Sequence, residues 1–266
     1  MQLCFCSIAF QRDKWGAQRV VERAIETIIP LLPTAGFDGV ELWYTHIEKH
    51  DFAQRAALVA QLRQLRLTVP MVSSYYDFTG SAATARESLA HGRQVLSVAR
   101  EMGAGALRIF TGKVGSLEAT AEQWQTTVAA LQELADEARV WGIKLAAETH
   151  PRNLMDTVPA SLELVTRVNR PNFALIYQPS TFRTDYLGAL ARLWPHIMHV
   201  HATNLGVDGK IAALADGVMK YHEILAQLQR CGFKDYLSVE WMGTEPETAV
   251  TREGGYLRRL LASGAT

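Results

Sequence analysis

Three short patterns set polar and ionisable side chains two residues apart: Glu148-Thr149-His150, His199-Val200-His201 and Ser238-Val239-Glu240. A fourth, Val40-Glu41-Leu42, puts one acid between apolar neighbours. In an extended chain alternate residues share a face, so Glu148 points with His150, His199 with His201, and Ser238 with Glu240. Carboxylates and imidazoles on one strand face suit proton transfer, and they suit ligation of a divalent ion through oxygen and nitrogen. Glu148 ends the run Lys144-Leu145-Ala146-Ala147. A buried carboxylate there needs a cation, a metal or strong donors, because an unpaired charge out of water is costly.

The elements that must position these residues alternate along the whole chain. Apolar runs of strand length are Leu3 to Ala9, Gly39 to Trp43, Thr68 to Tyr75, Ala106 to Phe110, Lys144 to His150, Phe173 to Gln178, Ile197 to Thr203 and Tyr236 to Trp241. Between and after them lie stretches with helical spacing: Val20 to Leu32, Ala53 to Arg66, Ala82 to Met102, Glu118 to Trp141, Val158 to Val168, Tyr186 to Trp194, Tyr221 to Cys231 and Glu247 to Ala262. Eight strand–helix units in order predict a single α/β domain over residues 1–266, a (β/α)8 TIM barrel. The competing doubly wound sheet calls for a glycine-rich turn after its first strand, and Gly-x-Gly-x-x-Gly does not occur.

In such a barrel the site forms at the carboxyl ends of the strands. Period two sends inward Glu41, Ser73, Tyr75, Arg108, Glu148, His150, Gln178, His199, His201, Ser238 and Glu240, and sends apolar residues such as Leu42, Leu107, Ala147 and Val200 outward. Glu148, His201 and Glu240, with a carbonyl oxygen from Gln178, make a ligand set for Mn²⁺, Mg²⁺, Zn²⁺ or Co²⁺. The plainer alternative is an ion-pair network of the two acids with Arg108 and Lys144. Arg108 reads either as an anchor for a substrate anion or as a partner for Glu41, and His199 either as a hydrogen-bonded core residue or as a ligand. Tyr75 and Trp43 are substrate walls or ordinary core, and His46, on the loop after the second strand, is expected exposed near the mouth.

Bulk properties exclude several classes. Lys plus Arg and Asp plus Glu number 27 each, so no global field draws nucleic acid or an anionic membrane. The three cysteines are an odd number; Cys4 and Cys6 share a strand face and read as small core residues of a reducing, cytoplasmic compartment. A basic n-region is missing at the N-terminus, and no apolar run reaches the about 18 residues of a membrane span. The expectation is a chain neither exported nor membrane-spanning; its assembly with further copies of itself stays open.

The segments Gly36-Phe37-Asp38-Gly39-Val40-Glu41-Leu42-Trp43, Glu148-Thr149-His150, His199-Val200-His201 and Ser238-Val239-Glu240 together resemble the xylose isomerase-like TIM barrels, which include sugar phosphate isomerases and epimerases, inosose dehydratases, hydroxypyruvate isomerases and endonuclease IV. Within them the nearest likeness is to metal-dependent 3-dehydroshikimate dehydratases, carried by Val40 to His46, Ser73-Ser74-Tyr75, Arg108 to Gly112, Glu148 to Pro151 with Asp156 to Pro159, and Gly217 to Tyr221. The resemblance implies that Glu148, His201 and Glu240 are three of four metal ligands, and that His150, Tyr75 and Arg108 contact substrate or act as general base. Glu41, His46 and Trp43 join the expected substrate contacts. Two departures stand out: Gln178 where the family places an aspartate, and Thr203 where the dehydratases carry a lysine.

The resemblance implies a shared step, abstraction of a proton next to a carbonyl of a small polyhydroxy substrate. Glu148 and Glu240 would flank the substrate carbon of an isomerase or epimerase, and His150 would take the proton in a dehydratase. A ligand-binding barrel without catalysis, its metal lost with the change at residue 178, is the alternative from another class.

Overall fold

The structure, a computed structural model, describes residues 1–11 and 23–264. The opening residues of the helix expected over Val20 to Leu32 lie outside them. Eight parallel strands, β1 (Gln2–Cys6), β2 (Gly39–Trp43), β3 (Met71–Ser73), β4 (Ala106–Ile109), β5 (Lys144–Glu148), β6 (Phe173–Tyr177), β7 (Ile197–Ala202) and β8 (Tyr236–Val239), pair in sequence order, and β8 closes on β1. The expected TIM barrel is therefore present, and the open sheet is not. β3 is shorter than its apolar run because Pro70 has no N–H for the ladder, although Thr68 keeps an isolated bridge to Gly39. β1 stops at Cys6, and the chain turns out of the barrel through a short 3₁₀ segment, Ser7–Phe10.

The helices on the outside include Phe52–Gln64, Ala82–Glu101, Ala121–Val140, Val158–Val168, Tyr186–Leu193, Tyr221–Arg230 and Pro246–Ala262. Their ends follow local chemistry. Asp51 with Gln54, and Thr120 with Gln123, form reciprocal capping boxes at two N-termini. The helix before β5 ends at Gly142, whose φ of +71° is the left-handed turn that frees Ile143 N–H to reach Ala138 O at 3.0 Å. That turn aims the chain into the strand that carries Glu148. An extra helical turn, Pro179–Phe182, follows β6 and was not evident from apolar spacing.

Outward strand residues such as Phe5, Leu42, Ile109, Leu145 and Val200 pack on the helices through Leu58, Val95, Leu131 and Leu225, and all are buried. Burying such a side chain contributes about 1.5–3 kcal/mol, so this layer dominates stability. Inside the barrel the lining changes along its length. Met71, Ala106, Ala146 and Ile176, with Met198, fill the end nearest the strand amino termini. Ionisable groups follow, and Cys6, Ile8, Trp43, Tyr75 and Met242 cluster beyond them.

Strict alternation fails once. Leu175 pairs with Ile197, but Ile176 pairs with His199, so β7 carries one extra residue against β6. Met198 and His199 consequently both contribute to the barrel interior, and the irregularity sets the register in which His201 stands beside Ser238. Among the described residues no helix is long and apolar enough to cross a membrane.

Gly39 sits where β1, β2 and Thr68 converge: a Cβ there would lie 2.6 Å from Thr68 Oγ1, 2.7 Å from Cys4 Sγ and 2.8 Å from Thr68 O. Gly39→Ala should cost about 1–3 kcal/mol. Urea denaturation would show a lower midpoint with an unchanged slope.

Candidate active site

The polar layer starts from Glu41, 1% exposed on β2. His201 Nε2 lies 3.0 Å from its Oε2, Cys6 Sγ donates to the same oxygen at 3.3 Å, and Ser73 Oγ donates to Oε1. His199 Nε2 is 3.5 Å away and bonds Ser238 Oγ at 2.7 Å. Burial pushes the Glu41 carboxyl up, but His201 and His199 outweigh it and hold it well below the usual range. An ionised carboxylate only accepts, so His201 carries a proton on Nε2.

That hydrogen bond orients the other ring nitrogen. His201 Nδ1 faces Glu148 Oε1 at 3.4 Å and Glu240 Oε2 at 3.7 Å, and it is buried without a hydrogen-bond partner. One end of the Gln178 side-chain amide lies 3.0 Å from both of those carboxylate oxygens. Gln178 is held in place through its backbone N–H, which donates to Thr149 Oγ1 at 2.9 Å; Thr149 Oγ1 in turn donates to Ile176 O at 3.2 Å. Four donor atoms thus converge: the amide stands 3.0 and 3.0 Å, and His201 Nδ1 3.4 and 3.7 Å, from the two carboxylate oxygens. The edges of a tetrahedral shell with bonds near 2.0–2.1 Å are about 3.3 Å. The donor set, two carboxylates, an imidazole nitrogen and an amide oxygen, therefore fits a divalent cation, and the unpartnered Nδ1 is what such an ion would satisfy. A second grouping, Cys6 with Glu41 and His201, is a hydrogen-bonded cluster instead: burial and Glu41 push the Cys6 thiol well up, so it stays protonated.

The two outer carboxyls have different surroundings. Burial raises Glu148, but His201 and Arg108 outweigh it, and its pKa is lowered. Burial and the nearby Glu148 both raise Glu240, and its pKa ends above the ordinary value. Burial opposes a charge on His201, yet Glu41 and Glu148 prevail and raise its pKa well above the usual value.

Arg108 completes the layer. Its Nη1 donates to Glu148 Oε2 at 2.9 Å and stands 3.5 Å from Glu240 Oε1. The guanidinium lies over the rings of Tyr75, Phe110 and Trp43, at 4.8, 5.2 and 5.8 Å. Nε and Nη2 are buried with no partner, two donors left for an anionic oxygen. His150, half-buried at the end of β5, donates from Nδ1 to Pro151 O at 2.7 Å when that nitrogen holds the proton, which leaves Nε2 as a lone pair. Its ring is 5.0 Å from Phe110.

Several sequence expectations change. Arg108 pairs with Glu148 and stands near Glu240, as the ion-pair alternative has it, and not with Glu41. Glu41, expected to contact substrate, lies beneath His201 with both oxygens taken by protein donors. His46, expected exposed at the mouth, is 3% exposed, with Nδ1 3.0 Å from Ser7 Oγ; burial lowers its pKa to about 4 and keeps it neutral. Lys144 is exposed at the opposite end of the barrel and joins no network with the acids. Cys6, expected as a small core residue, instead bonds Glu41, and Phe110, not expected at the site, lies against Arg108. Period two from Glu41's neighbour strand and from Arg108 would have turned both inward.

A cavity of about 650 Å³ opens at the amino ends of the strands, lined by Arg63, Arg100, Lys144, His199 and Tyr236 among others. It lacks the convergent carboxylates, and in this architecture the carboxyl end carries the chemistry.

A closed barrel with an acid–imidazole ring at the carboxyl ends of its strands defines the class: the chain belongs to the xylose isomerase-like TIM barrel family, whose model matches residues 30–260. A 3-dehydroshikimate dehydratase from Bacillus anthracis is 24% identical over 270 residues, covering 91% of each chain. Among solved structures, an L-ribulose 3-epimerase superposes with a TM-score of 0.79 at 19% identity, over 99% of this chain and 95% of that one. A xylose isomerase-like TIM barrel protein from Mycobacterium smegmatis, in complex with magnesium, has a TM-score of 0.76 at 15% identity, over 100% of this chain and 98% of that one.

Removing Arg108 would leave Glu148 and Glu240 without their guanidinium. Arg108→Met should therefore lower stability by about 3–5 kcal/mol, the usual cost of stranding a buried charge. Chemical denaturation at neutral pH measures it.

Proposed function

We propose that this barrel, spanning residues 1–266, is a divalent-metal-dependent enzyme that removes a proton next to the carbonyl of a small polyhydroxy substrate, with isomerisation or epimerisation as the outcome. The observation that carries the reading is the convergence of Glu148, Gln178, Glu240 and the unpartnered His201 Nδ1 on one point. Those four residues would hold the ion, which when bound supplies Lewis-acid polarisation of the carbonyl oxygen and stabilisation of charge developing there. The relatives support the class, since they include an epimerase and a dehydratase, and one neighbour holds magnesium.

The chain's own groups divide the proton work. Glu148, held ionised, accepts the proton from the substrate carbon. Glu240, on the other side of that carbon, returns one. Glu41 keeps His201 in the tautomer that turns Nδ1 toward the acids. Tyr75, Trp43 and Phe110 wall the guanidinium of Arg108, and its free donors bind an anionic or strongly polarised oxygen of the substrate.

A second reading has its own support. With its proton on Nδ1, His150 offers Nε2 as a base, and with the two free donors of Arg108 this suits a hydroxy acid that loses water, His150 taking the proton and hydroxide leaving. Thr203, bonded to Ser180 at 2.8 Å, supplies no cation for the acid group, and Lys210 is exposed beside Asp208 at 3.5 Å. These features favour the isomerase or epimerase outcome over the dehydratase.

A screen of ketoses, their phosphates, inososes and 3-dehydroshikimate in deuterated water separates the two. Deuterium entering recovered substrate and its epimer marks the first reading, and a rising aromatic absorbance marks the second. Glu240→Gln should lower kcat on the order of 10²–10⁴-fold with an unchanged circular dichroism spectrum; full activity would remove Glu240 from the mechanism.

His201 gives a pH signature. Its raised pKa means that the ring is protonated at neutral pH, so an ion taking Nδ1 must displace a proton. Binding should release about one proton per ion near pH 7 and weaken as pH falls. Calorimetry in buffers of different ionisation enthalpy reads that proton directly.

A further inference from the structure

Gln178 is the one member of the converging set whose donor can be reversed. A carboxylate presents equivalent oxygens when it rotates by half a turn, and His201 is committed by its bond to Glu41. An amide offers a carbonyl oxygen at one end and an NH₂ with two protons at the other. The end facing the cluster lies 3.0 Å from Glu148 Oε1 and 3.0 Å from Glu240 Oε2. With NH₂ there, one group donates to both carboxylates at once. With oxygen there, the amide no longer donates to either acid and adds a third oxygen to the cluster, an arrangement that suits a bound cation. The residue is 4% exposed and its backbone N–H is tied to Thr149 Oγ1. The exchange is therefore a rotation about the terminal side-chain torsion, which is broad and roughly two-fold.

We propose that Gln178 is a latch on the metal site: its NH₂ clamps Glu148 to Glu240 before a divalent ion is taken up, and the amide turns by half a rotation to offer its oxygen when the ion enters. The proposal rests on the metal reading above. It gives the amide a consequence that an aspartate at this position could not have. Aspartate would add a third carboxylate beside Glu148 and Glu240, repelling them without an ion and holding an ion more firmly. Glutamine leaves the two acids satisfied by the protein itself, and the ion must break two charge-assisted hydrogen bonds to bind. The expected behaviour is a site that loads only at high free metal and keeps its shape when unloaded.

The test uses the whole chain, stripped with chelator, and Zn²⁺ as a diamagnetic probe. Wild type and Gln178→Asp are compared by calorimetric Zn²⁺ titration and by thermal unfolding of stripped and loaded protein. Protein labelled with ¹⁵N on glutamine side chains reports the amide itself, and the Gln178 signals are assigned by their loss in Gln178→Met. Gln178→Asp should bind Zn²⁺ tighter on the order of 100-fold or more, the worth of two hydrogen bonds to charged groups. Stripped, it should melt below stripped wild type. In wild type the Gln178 NH₂ protons should be protected from exchange in stripped protein and lose that protection with one equivalent of Zn²⁺. Zn²⁺ binding that leaves the Gln178 NH₂ signals and their exchange unchanged would overturn the latch while leaving the metal site standing. Equal Zn²⁺ affinities in wild type and Gln178→Asp would overturn it as well. Absence of Zn²⁺ binding by both proteins would bring down the metal reading, and the latch with it.

Discussion

Three carboxylates lie inside one narrow barrel, and the rest of the site follows from the need to compensate them. Glu41, Glu148 and Glu240 are at most 8% exposed, so water cannot do it. The His201 ring spans two of the problems at once: Nε2 answers Glu41 beneath, and Nδ1 turns to Glu148 and Glu240 above. Arg108 supplies the remaining fixed positive charge. Removing any one partner leaves a buried charge exposed to a low dielectric, and that coupling makes the layer a unit.

The barrel supports this layer by grading its lining. Small and apolar side chains fill the amino-terminal end, where nothing reacts, and the residues there are chosen by volume. Gly39 shows how tight that end is, since even a methyl group would meet Thr68 and Cys4. At the other end Trp43, Tyr75 and Phe110 surround the Arg108 guanidinium with ring faces, which shield it from water and fix its plane. The charge on Arg108 then acts in a restricted geometry, with one donor spent on Glu148 and two left over.

Much of this was readable along the chain, for a definite reason. Period two is a local property of an extended backbone, so the inward set of Glu148, His201, Gln178, Arg108 and Glu240 could be written down strand by strand. The helix Val158–Val168 lies where its apolar spacing puts it, and the structure adds its caps, Thr157 and the left-handed Asn169. What failed was depth. Glu41 and Glu148 look alike in sequence, each an acid among apolar residues, yet one is buried beneath His201 and the other meets the amide of Gln178. His46 was misplaced because a loop histidine carries no local sign of burial. The bulge in β7 was equally silent, since it exists only relative to β6.

The sequence by itself determined which residues face the barrel interior and that eight strand–helix units close it, because side-chain alternation and apolar periodicity depend only on neighbouring residues. It also determined that residue 178 brings a neutral amide into a ring of acids. The tertiary structure alone decided who partners whom: that His201 is oriented by Glu41, that Arg108 is tied to Glu148, and that Gln178 stands between two carboxylates. Those pairings depend on the stagger of strands around a closed sheet and on distances between residues as far apart in the chain as Glu41 and His201. No local pattern encodes such distances, and electrostatic compensation is settled only when they are set.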